Sequence, residues 1–235
     1  MTPEDELAVL AAGAIEVEGR VVASSNQALY VTVTLDGVTL PACYKAGAGE
    51  RRLWDFPGGL WRREVAAYVL DDVLGTGLIP PTVGRDDLPF GPGSLQLWVD
   101  DNGEDHYFTL RSREELGGWF ADLAAFDVIA NNADRKSGHV LFDGERCWAI
   151  DNGLCFHVHD KLRTVVWEFA GAPLEPRLSE RLTTFAHSDG SALAPWLSPE
   201  EVALTLDRAG ALCSAGAYPL PDEDREWPPW PWPLV

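Results

Sequence analysis

The chain has 235 residues, 46% of them hydrophobic, and a formal net charge of −19 at pH 7. A chain of this length can bury a full core, either as one compact domain or as two lobes. Its acidic surface repels phosphate backbones and anionic headgroups, so we expect no nucleic-acid partner and no binding to a bare anionic membrane.

The cysteines and the N-terminus bear on the cellular compartment. The acidic N-terminus lacks the basic start of a signal peptide, and no apolar run reaches the length of a membrane span. Only three of the 18 basic residues are lysine, which indicates a GC-rich bacterial genome. We predict a cytoplasmic protein with four dispersed, buried free thiols: Cys43, Cys147, Cys155 and Cys213.

Strand patterns dominate the first part of the chain. The sequence LYVTVTL at 29–35 places β-branched and aromatic residues at period two, which is typical of a strand, and Asp36-Gly37 signals a hairpin turn. The small polar loop before it contains Ser24, Ser25 and Asn26, whose backbone amides can hold phosphates; a plain hairpin turn is the alternative. We predict an opening helix and three antiparallel strands over residues 4–13, 15–22, 29–35 and 38–45.

A lysine and a glutamate follow on adjacent elements. Lys45 ends the third predicted strand, and Glu64 lies early in a predicted helix over 60–74. A strand lysine facing a helix glutamate orients nucleotide phosphates in kinase-like folds, whereas the alternative is an ordinary solvated helix charge. The predicted apolar face of this helix comprises Val65, Tyr68, Val69, Val73 and Leu74.

The middle of the chain connects two patterns. SLQLWV at 94–99 reads as a short strand after a Gly- and Pro-rich loop with a further strand at Thr82-Val83, and the acidic residues 100–105 form a candidate lobe boundary. Residues 113–129 carry apolar side chains at helical spacing. We therefore predict an N-terminal lobe over 1–100 and a C-terminal lobe over 101–235.

Two aspartates flank a predicted hairpin. Asp134 precedes VLF at 140–142 and Asp151 follows CWAI at 147–150, with an Asp-Gly turn between these strands. Because such a hairpin brings its ends together, the two carboxylates should approach each other. One carboxylate to take a proton and one to hold a cation is the minimum apparatus of phosphoryl transfer, although turn aspartates are often structural.

The order of these features resembles the protein-kinase-like fold, and in particular the phosphatidylinositol 3-/4-kinase relatives. In type II phosphatidylinositol 4-kinases the catalytic loop is similar to NTDRGxxNW, the metal loop to AIDNGLAFP and the linking strand to GSFQLFV. The corresponding stretches here are NADR at 132–135, AIDNGLCF at 149–156 and GSLQLWV at 93–99. The resemblance implies an α+β, bilobal fold with a β-rich N-lobe and a mainly helical C-lobe.

The resemblance also implies roles for particular residues. Asp134 would be catalytic with Lys136 beside it, and Asp151 would bind Mg²⁺ or Mn²⁺. Lys45 would bind the phosphates of ATP, and Glu64 would position Lys45. The remaining implied ATP contacts are Ser24, Ser25 and Asn26 for phosphate and Gln96, Leu97, Trp98 and Val99 for adenine.

His139 departs from the family pattern, which has a metal-binding asparagine five residues after the catalytic aspartate. If its imidazole binds the second metal, Mn²⁺ should be preferred to Mg²⁺, and activity should fall below about pH 6.5. The alternative is that His139 contacts no metal. A pseudokinase that only binds nucleotide therefore stands beside the kinase interpretation.

The phosphoryl acceptor is predicted to be a soluble small molecule or a protein hydroxyl. Residues 82–92 lack the cysteine-rich, membrane-anchoring insertion of the lipid kinases, and the net charge opposes an anionic membrane. His157, His159, Lys161 and Arg163 after Asp151 either bind an anionic substrate or are ordinary surface charges. The sequence does not indicate an oligomeric state.

The C-terminal part is predicted to be helical. Helices are expected over 175–186 and 198–215, the second with a capping sequence at Ser198-Pro199. The final tryptophans and prolines, WPPWPWP at 227–233, are polyproline-like. We expect these tryptophans to pack on the C-terminal part, with docking of a partner as the alternative.

Overall fold

The computed structural model describes residues 1–21, 28–224 and 227–234. An antiparallel sheet with two helices comes first in the chain, and a mainly helical part follows. The helices are α1 (Pro3–Ala12), α2 (Leu60–Leu74), α3 (Tyr107–Leu110), α4 (Gly117–Ala130), α5 (Pro176–Ala186) and α6 (Pro199–Ala215). The strands are β1 (Ala14–Arg20), β2 (Ala28–Leu35), β3 (Val38–Ala46), β4 (Thr82–Arg85), β5 (Gly93–Leu97), β6 (Val140–Phe142) and β7 (Cys147–Ala149).

The five N-terminal strands form one sheet in the order β1-β2-β3-β5-β4, with antiparallel neighbours. The Asp36-Gly37 turn pairs Leu35 with Val38, as the hairpin signal predicts. In the pairing of β3 with β5, Lys45 lies opposite Ser94. The chain thus crosses from β3 through α2 and β4 before β5 returns beside Lys45.

The described residues contain three hydrophobic clusters, and two of them are large. One lies between the sheet and α1, around Leu10, Val31 and Leu95. The larger one lies among the helices, around Phe120, Phe126 and Leu182, and extends to the buried side of α2. The proposed division between residues 100 and 101 stays a prediction.

Helix α2 spans the predicted residues but turns a different face inward. Val73 is 47% exposed, so the predicted apolar face is wrong at this position. Arg63 and Glu64 are buried instead. The reason is that α2 contacts β4 and β5 on one side and α5 on another, which covers more than an apolar stripe.

Other elements differ from the sequence pattern at their ends. The predicted strand over 94–99 ends at Leu97. The Trp98 N–H still bonds to the carbonyl of Pro41 in the same register, but Pro41 has no N–H to return the bond. The predicted helix over 113–129 begins only at Gly117, after a short 3₁₀ turn over Glu114–Leu116. The loop residues Ser24, Ser25 and Asn26 lie outside the described residues.

The final residues pack by their prolines rather than by their tryptophans. Pro229 and Pro231 are buried, whereas Trp227, Trp230 and Trp232 are exposed. The expectation that the tryptophans pack inward is therefore wrong for all three. The backbone carbonyls of Pro229 and Leu234 accept hydrogen bonds from the N–H groups of Thr164 and Ser137. These bonds hold the segment, so its aromatic rings can face outward.

The four thiols are free, as predicted, and Cys147 and Cys155 are buried. Cys43 and Cys213 are partly exposed, so the predicted burial is wrong for these two. Across the described parts of the chain, every helix is too short or too polar to span a bilayer.

Candidate active site

Lys45 joins the sheet to both α2 and the loop after β7. Its ammonium forms an ion pair with Glu64 and donates a hydrogen bond to Asp151 Oδ1 at 2.9 Å. The second oxygen of Glu64 accepts the backbone N–H of Asn152 at 2.9 Å. The three residues that the sequence assigns to phosphate and metal binding therefore form one connected group.

The charges of this group reinforce each other. Burial alone would lower the pKa of Lys45, but Asp151 and Glu64 outweigh it and raise that pKa. In return, Lys45 holds the pKa of Asp151 well below its usual range. The lysine is therefore cationic and Asp151 is anionic at neutral pH, as phosphate and cation binding require.

Asp151 has a left-handed backbone conformation, with φ of 56°. Aspartate tolerates this region better than most residues, and strain of this kind is common at functional sites. The next residue but one is Gly153, where an added Cβ would lie 3.3 Å from Glu64. Local backbone geometry and close packing thus bring the carboxylate of Asp151 to Lys45.

Asp134 opens into the same pocket as Lys45 and Asp151. Its carboxylate forms an ion pair with Lys136 at 2.9 Å, and its N–H bonds to the side chain of Asn132 at 3.0 Å. Burial raises the pKa of Asp134, and Lys136 opposes that rise. A carboxylate with a raised pKa in a pocket can accept a proton from an acceptor hydroxyl.

A buried arginine holds the catalytic-type loop in place, and the sequence pattern did not mark it for this role. The Arg135 side chain is fully buried and pairs with Asp127 of α4 at 3.1 Å. It also donates to the carbonyl of Ile150 at 2.8 Å and to the side chain of Asn152 at 2.5 Å. Arg135 therefore ties the loop of Asp134 to the loop of Asp151.

Asn131 ends α4 in the left-handed conformation, with φ of 50°. Its amide donates to the carbonyls of His157 and His159, and its carbonyl oxygen accepts the N–H of Lys161. One helix-ending residue thus shapes the segment after Asp151. The segment from His157 to Lys161 forms no strand.

His139 contacts Asp151 but also has a second neighbour. Its Nε2 lies 3.4 Å from Asp151 Oδ2, and its Nδ1 accepts the N–H of Lys136 at 3.3 Å. Because Nδ1 accepts, a neutral imidazole carries its proton on Nε2 and points it at Asp151. Burial lowers the pKa of His139 to about 4, so the ring is neutral at pH 7. These contacts favour hydrogen-bond donation over metal binding.

The remaining donors fit one divalent cation. In the described residues, no three His, Cys, Asp or Glu side chains cluster as a metal site. However, Mg²⁺ is commonly held by one or two carboxylates together with substrate phosphates. Lys45 bonds to Asp151 Oδ1, so the carboxylate keeps free lone pairs, and the Asp151 side chain is 38% exposed. Asp151 therefore suits a cation that arrives with a nucleotide.

A cavity of about 500 Å³ lies beside this group, under the end of β5. It is large enough for a nucleotide base and sugar. The amides of Leu97 and Trp98 are already bonded to the carbonyls of Pro81 and Pro41, whereas the N–H of Val99 has no partner among the described residues. The predicted adenine residues Gln96, Leu97, Trp98 and Val99 all line this cavity, together with Lys45, His139 and Asp151.

Comparison with known proteins identifies relatives. No family model matches the sequence. Protein Rv2133c of Mycobacterium tuberculosis is 37% identical to this chain, over 98% of this chain and 95% of that protein. The chain belongs to the Rv2133c family.

Two solved structures share the fold of this Rv2133c-family chain. Hydra Fam20, determined with a sugar, has a TM-score of 0.57 at 15% identity, over 89% of this chain and 86% of that chain. The Helicobacter pylori proinflammatory kinase CtkA has a TM-score of 0.53 at 8% identity, over 89% and 94%. The predicted kinase-like fold, with a β-rich N-terminal part and a helical C-terminal part, is confirmed.

Further residues of this family member support the site without having been predicted. Glu50 accepts the amides of Gly59 and Trp61 at 2.9 and 2.8 Å, and so caps the start of α2. Arg63 pairs with Glu201 of α6 and donates to the carbonyl of Cys155 at 3.0 Å. Both sets of contacts hold the helix that carries Glu64, and the partners of Arg63 lie 92 and 138 positions later in the chain.

Proposed function

We propose that this chain is an ATP-dependent phosphotransferase that transfers the γ-phosphoryl group to a hydroxyl. One observation carries the proposal: Lys45 bridges Glu64 and Asp151 in a pocket that Asp134 also lines. Phosphoryl transfer is catalysed chiefly by positioning and by charge stabilisation, and this group supplies both. The kinase-like fold supports the same assignment.

Each residue of the site has a separate proposed role, which follows from its position. Lys45 binds the ATP phosphates while Glu64 holds it, and the cavity under β5 receives adenine with Val99 as backbone donor. Asp134 accepts the proton of the acceptor hydroxyl, and Lys136 lies beside it to contact the transferred phosphate. The phosphate-contacting roles of Ser24, Ser25 and Asn26 are part of the proposal by resemblance alone.

Asp151 would hold Mg²⁺ or Mn²⁺ with the nucleotide phosphates. Such an ion supplies charge neutralisation at the phosphates when it is bound. In this arrangement His139 donates a hydrogen bond to Asp151 and orients it.

The finer classification rests on the loop motifs. NADR at 132–135 and AIDNGLCF at 149–156 support a relation to the phosphatidylinositol 3-/4-kinases. The acceptor is proposed to be soluble, since the net charge of −19 opposes an anionic membrane. We also propose that the protein functions in the cytoplasm of a bacterium.

A pseudokinase is the second candidate, and His139 is the observation that favours it. The histidine stands where the resembling family has a metal-binding asparagine, and its Nε2 proton points at Asp151. A site that binds one cation can hold ATP without transferring phosphate efficiently.

Turnover of ATP by the Asp134→Asn variant separates the two candidates. For an enzyme, turnover should fall by about 10²–10⁴-fold while nucleotide affinity stays nearly unchanged. Asp72→Asn is the matched control, because it makes the same chemical change at an exposed position of α2. Slow hydrolysis that is insensitive to Asp134→Asn would support the pseudokinase instead.

A further inference from the structure

A second cavity lies beside the loop of Asp134, away from the nucleotide pocket. We call it the tail pocket, because residues 227–234, the tail, form one of its walls. Its volume is about 270 Å³, slightly below the usual range for drug-sized ligands of about 300–1,000 Å³. Its lining comprises His159, Asp160, Lys161, Leu162, Arg163, Trp227 and Pro228, none of which lines the nucleotide pocket.

Arg163 is fastened to the backbone on both sides of Asp134. Its N–H donates to the carbonyl of Asn132 at 2.8 Å, and its carbonyl accepts the N–H of Arg135 at 3.0 Å. Burial raises the pKa of Asp134, and the charge of Arg163 is among the cations that oppose this rise. The tail pocket therefore adjoins the loop that carries Asp134.

The tail is hydrogen-bonded both to the segment that follows Arg163 and to the loop of Asp134. The carbonyl of Pro229 accepts the N–H of Thr164 at 3.0 Å and the indole N–H of Trp167 at 3.2 Å. The carbonyl of Leu234 accepts the N–H of Ser137 at 2.8 Å, three residues after Asp134. These hydrogen bonds thus fix the tail in place where it lines the cavity.

The lining suits a ligand that combines an anionic group with an apolar surface. Lys161 is paired with Asp55 at 2.8 Å, whereas Arg163 forms no ion pair with any residue in the described ranges. The guanidinium of Arg163 lies 5.6 Å from the ring centre of Trp227, which is 52% exposed. Guanidinium groups bind phosphate and carboxylate in a planar, two-pronged manner, and an indole face packs against apolar surface.

We propose that the tail pocket holds the phosphoryl acceptor, a small soluble molecule that carries a hydroxyl and a phosphate or carboxylate. The anion binds Arg163, Trp227 covers the carbon skeleton, and the hydroxyl faces Asp134. In the transfer, the hydroxyl proton passes to Asp134 as the hydroxyl oxygen bonds to the γ-phosphorus. The bond from that phosphorus to the bridging oxygen breaks, and ADP leaves with the electron pair. This inference rests on the proposed phosphotransferase function.

Isothermal titration calorimetry of glycerol 3-phosphate binding tests the pocket. The protein is first saturated with a non-hydrolysable ATP analogue and Mg²⁺. The analogue keeps the probe out of the nucleotide phosphate site. The variants are Arg163→Gln and Trp227→Ala. Their matched controls are Arg62→Gln, an exposed arginine of α2 stacked near Trp61, and Trp232→Ala, an 88% exposed residue of the same tail.

We expect wild type and both controls to bind the probe, and Arg163→Gln to weaken it by at least about tenfold. Arg163→Lys should restore part of the affinity, and glycerol without phosphate should not bind. Equal affinity in wild type and Arg163→Gln, or no binding of the probe, would overturn the proposal.

Two further arms separate the possible failures. Phosphatidylcholine vesicles that contain phosphatidylinositol present a hydroxyl-bearing anion on a lipid. If the protein binds these vesicles through Arg163 but does not bind glycerol 3-phosphate, the proposal of a soluble acceptor is overturned. The thermal shift caused by the ATP analogue is measured for every variant. If the analogue causes no thermal shift in the wild type, the proposed phosphotransferase function itself is refuted. If the shift is present, a negative binding result refutes only the role of the tail pocket.

Discussion

The ammonium of Lys45 lies 2.9 Å from the carboxylate of Asp151, a residue 106 positions later in the chain. The same ammonium pairs with Glu64. Strand β3, helix α2 and the loop after β7 therefore meet at one cation. Preorganised charges of this kind are what phosphoryl transfer requires of a protein.

Replacement of Lys45 by alanine should remove most of the stabilisation that ATP confers. A ligand that binds only the native state raises the melting temperature, and Lys45 is the cation at the proposed phosphate site. Thermal unfolding with and without ATP and Mg²⁺ measures the effect. Lys161→Ala is the matched control, because it also removes a lysine paired with an aspartate but lies outside the nucleotide pocket. An undiminished shift in Lys45→Ala would refute the phosphate-binding role.

The imidazole of His139 should make stability depend on pH. Burial lowers its pKa from 6.5 to about 4 in the folded state, so between these values the unfolded chain binds more protons. The free energy of unfolding should therefore fall as the pH falls through this window, by about 3 kcal/mol.

Urea unfolding of wild type and His139→Asn at a series of pH values isolates this contribution. The variant should lose about 3 kcal/mol less than wild type between pH 7 and pH 4. Parallel profiles for the two proteins would show that the imidazole titrates normally. The same low pKa moves any acid limb of activity that depends on His139 from about pH 6.5 to about pH 4.

The metal preference of ATP turnover tests the two roles of His139. If His139 only donates a hydrogen bond to Asp151, His139→Asn should leave the ratio of activities with Mn²⁺ and Mg²⁺ nearly unchanged, since the cation keeps its oxygen ligands. A wild-type preference for Mn²⁺ that changes to Mg²⁺ in the variant would establish coordination by nitrogen. Steady-state turnover with each ion is the measurement.

Loss of the buried Arg135 should destabilise the fold strongly. Arg135→Met leaves the fully buried carboxylate of Asp127 without its cation, and breaking such a pair costs about 3–5 kcal/mol. Arg62→Met, at an exposed position of α2, should change stability by less than about 0.5 kcal/mol. Chemical unfolding at pH 7 compares the two variants. A small effect of Arg135→Met would mean that water or a shifted partner satisfies Asp127.

Much of the local structure followed from the sequence alone. The Asp36-Gly37 turn, the helix over 60–74 and the hairpin between Asp134 and Asp151 depend on residues close together in the chain. The capping sequence at Ser198 likewise marks the start of α6, where Ser198 and Glu201 cap each other. Periodicity and turn preference act over this short range, so they are visible in one sequence.

The sequence by itself determined the kinase-like order of elements and the identity of the clustered charges Lys45, Glu64, Asp134 and Asp151. Only the tertiary structure decided what each charge contacts: that Arg135 is buried on Asp127, that His139 points its proton at Asp151, and that the tail walls a cavity beside Arg163. The physical reason is that desolvation and hydrogen bonding between distant segments depend on burial. Burial is a property of the packed chain, and no local pattern encodes it.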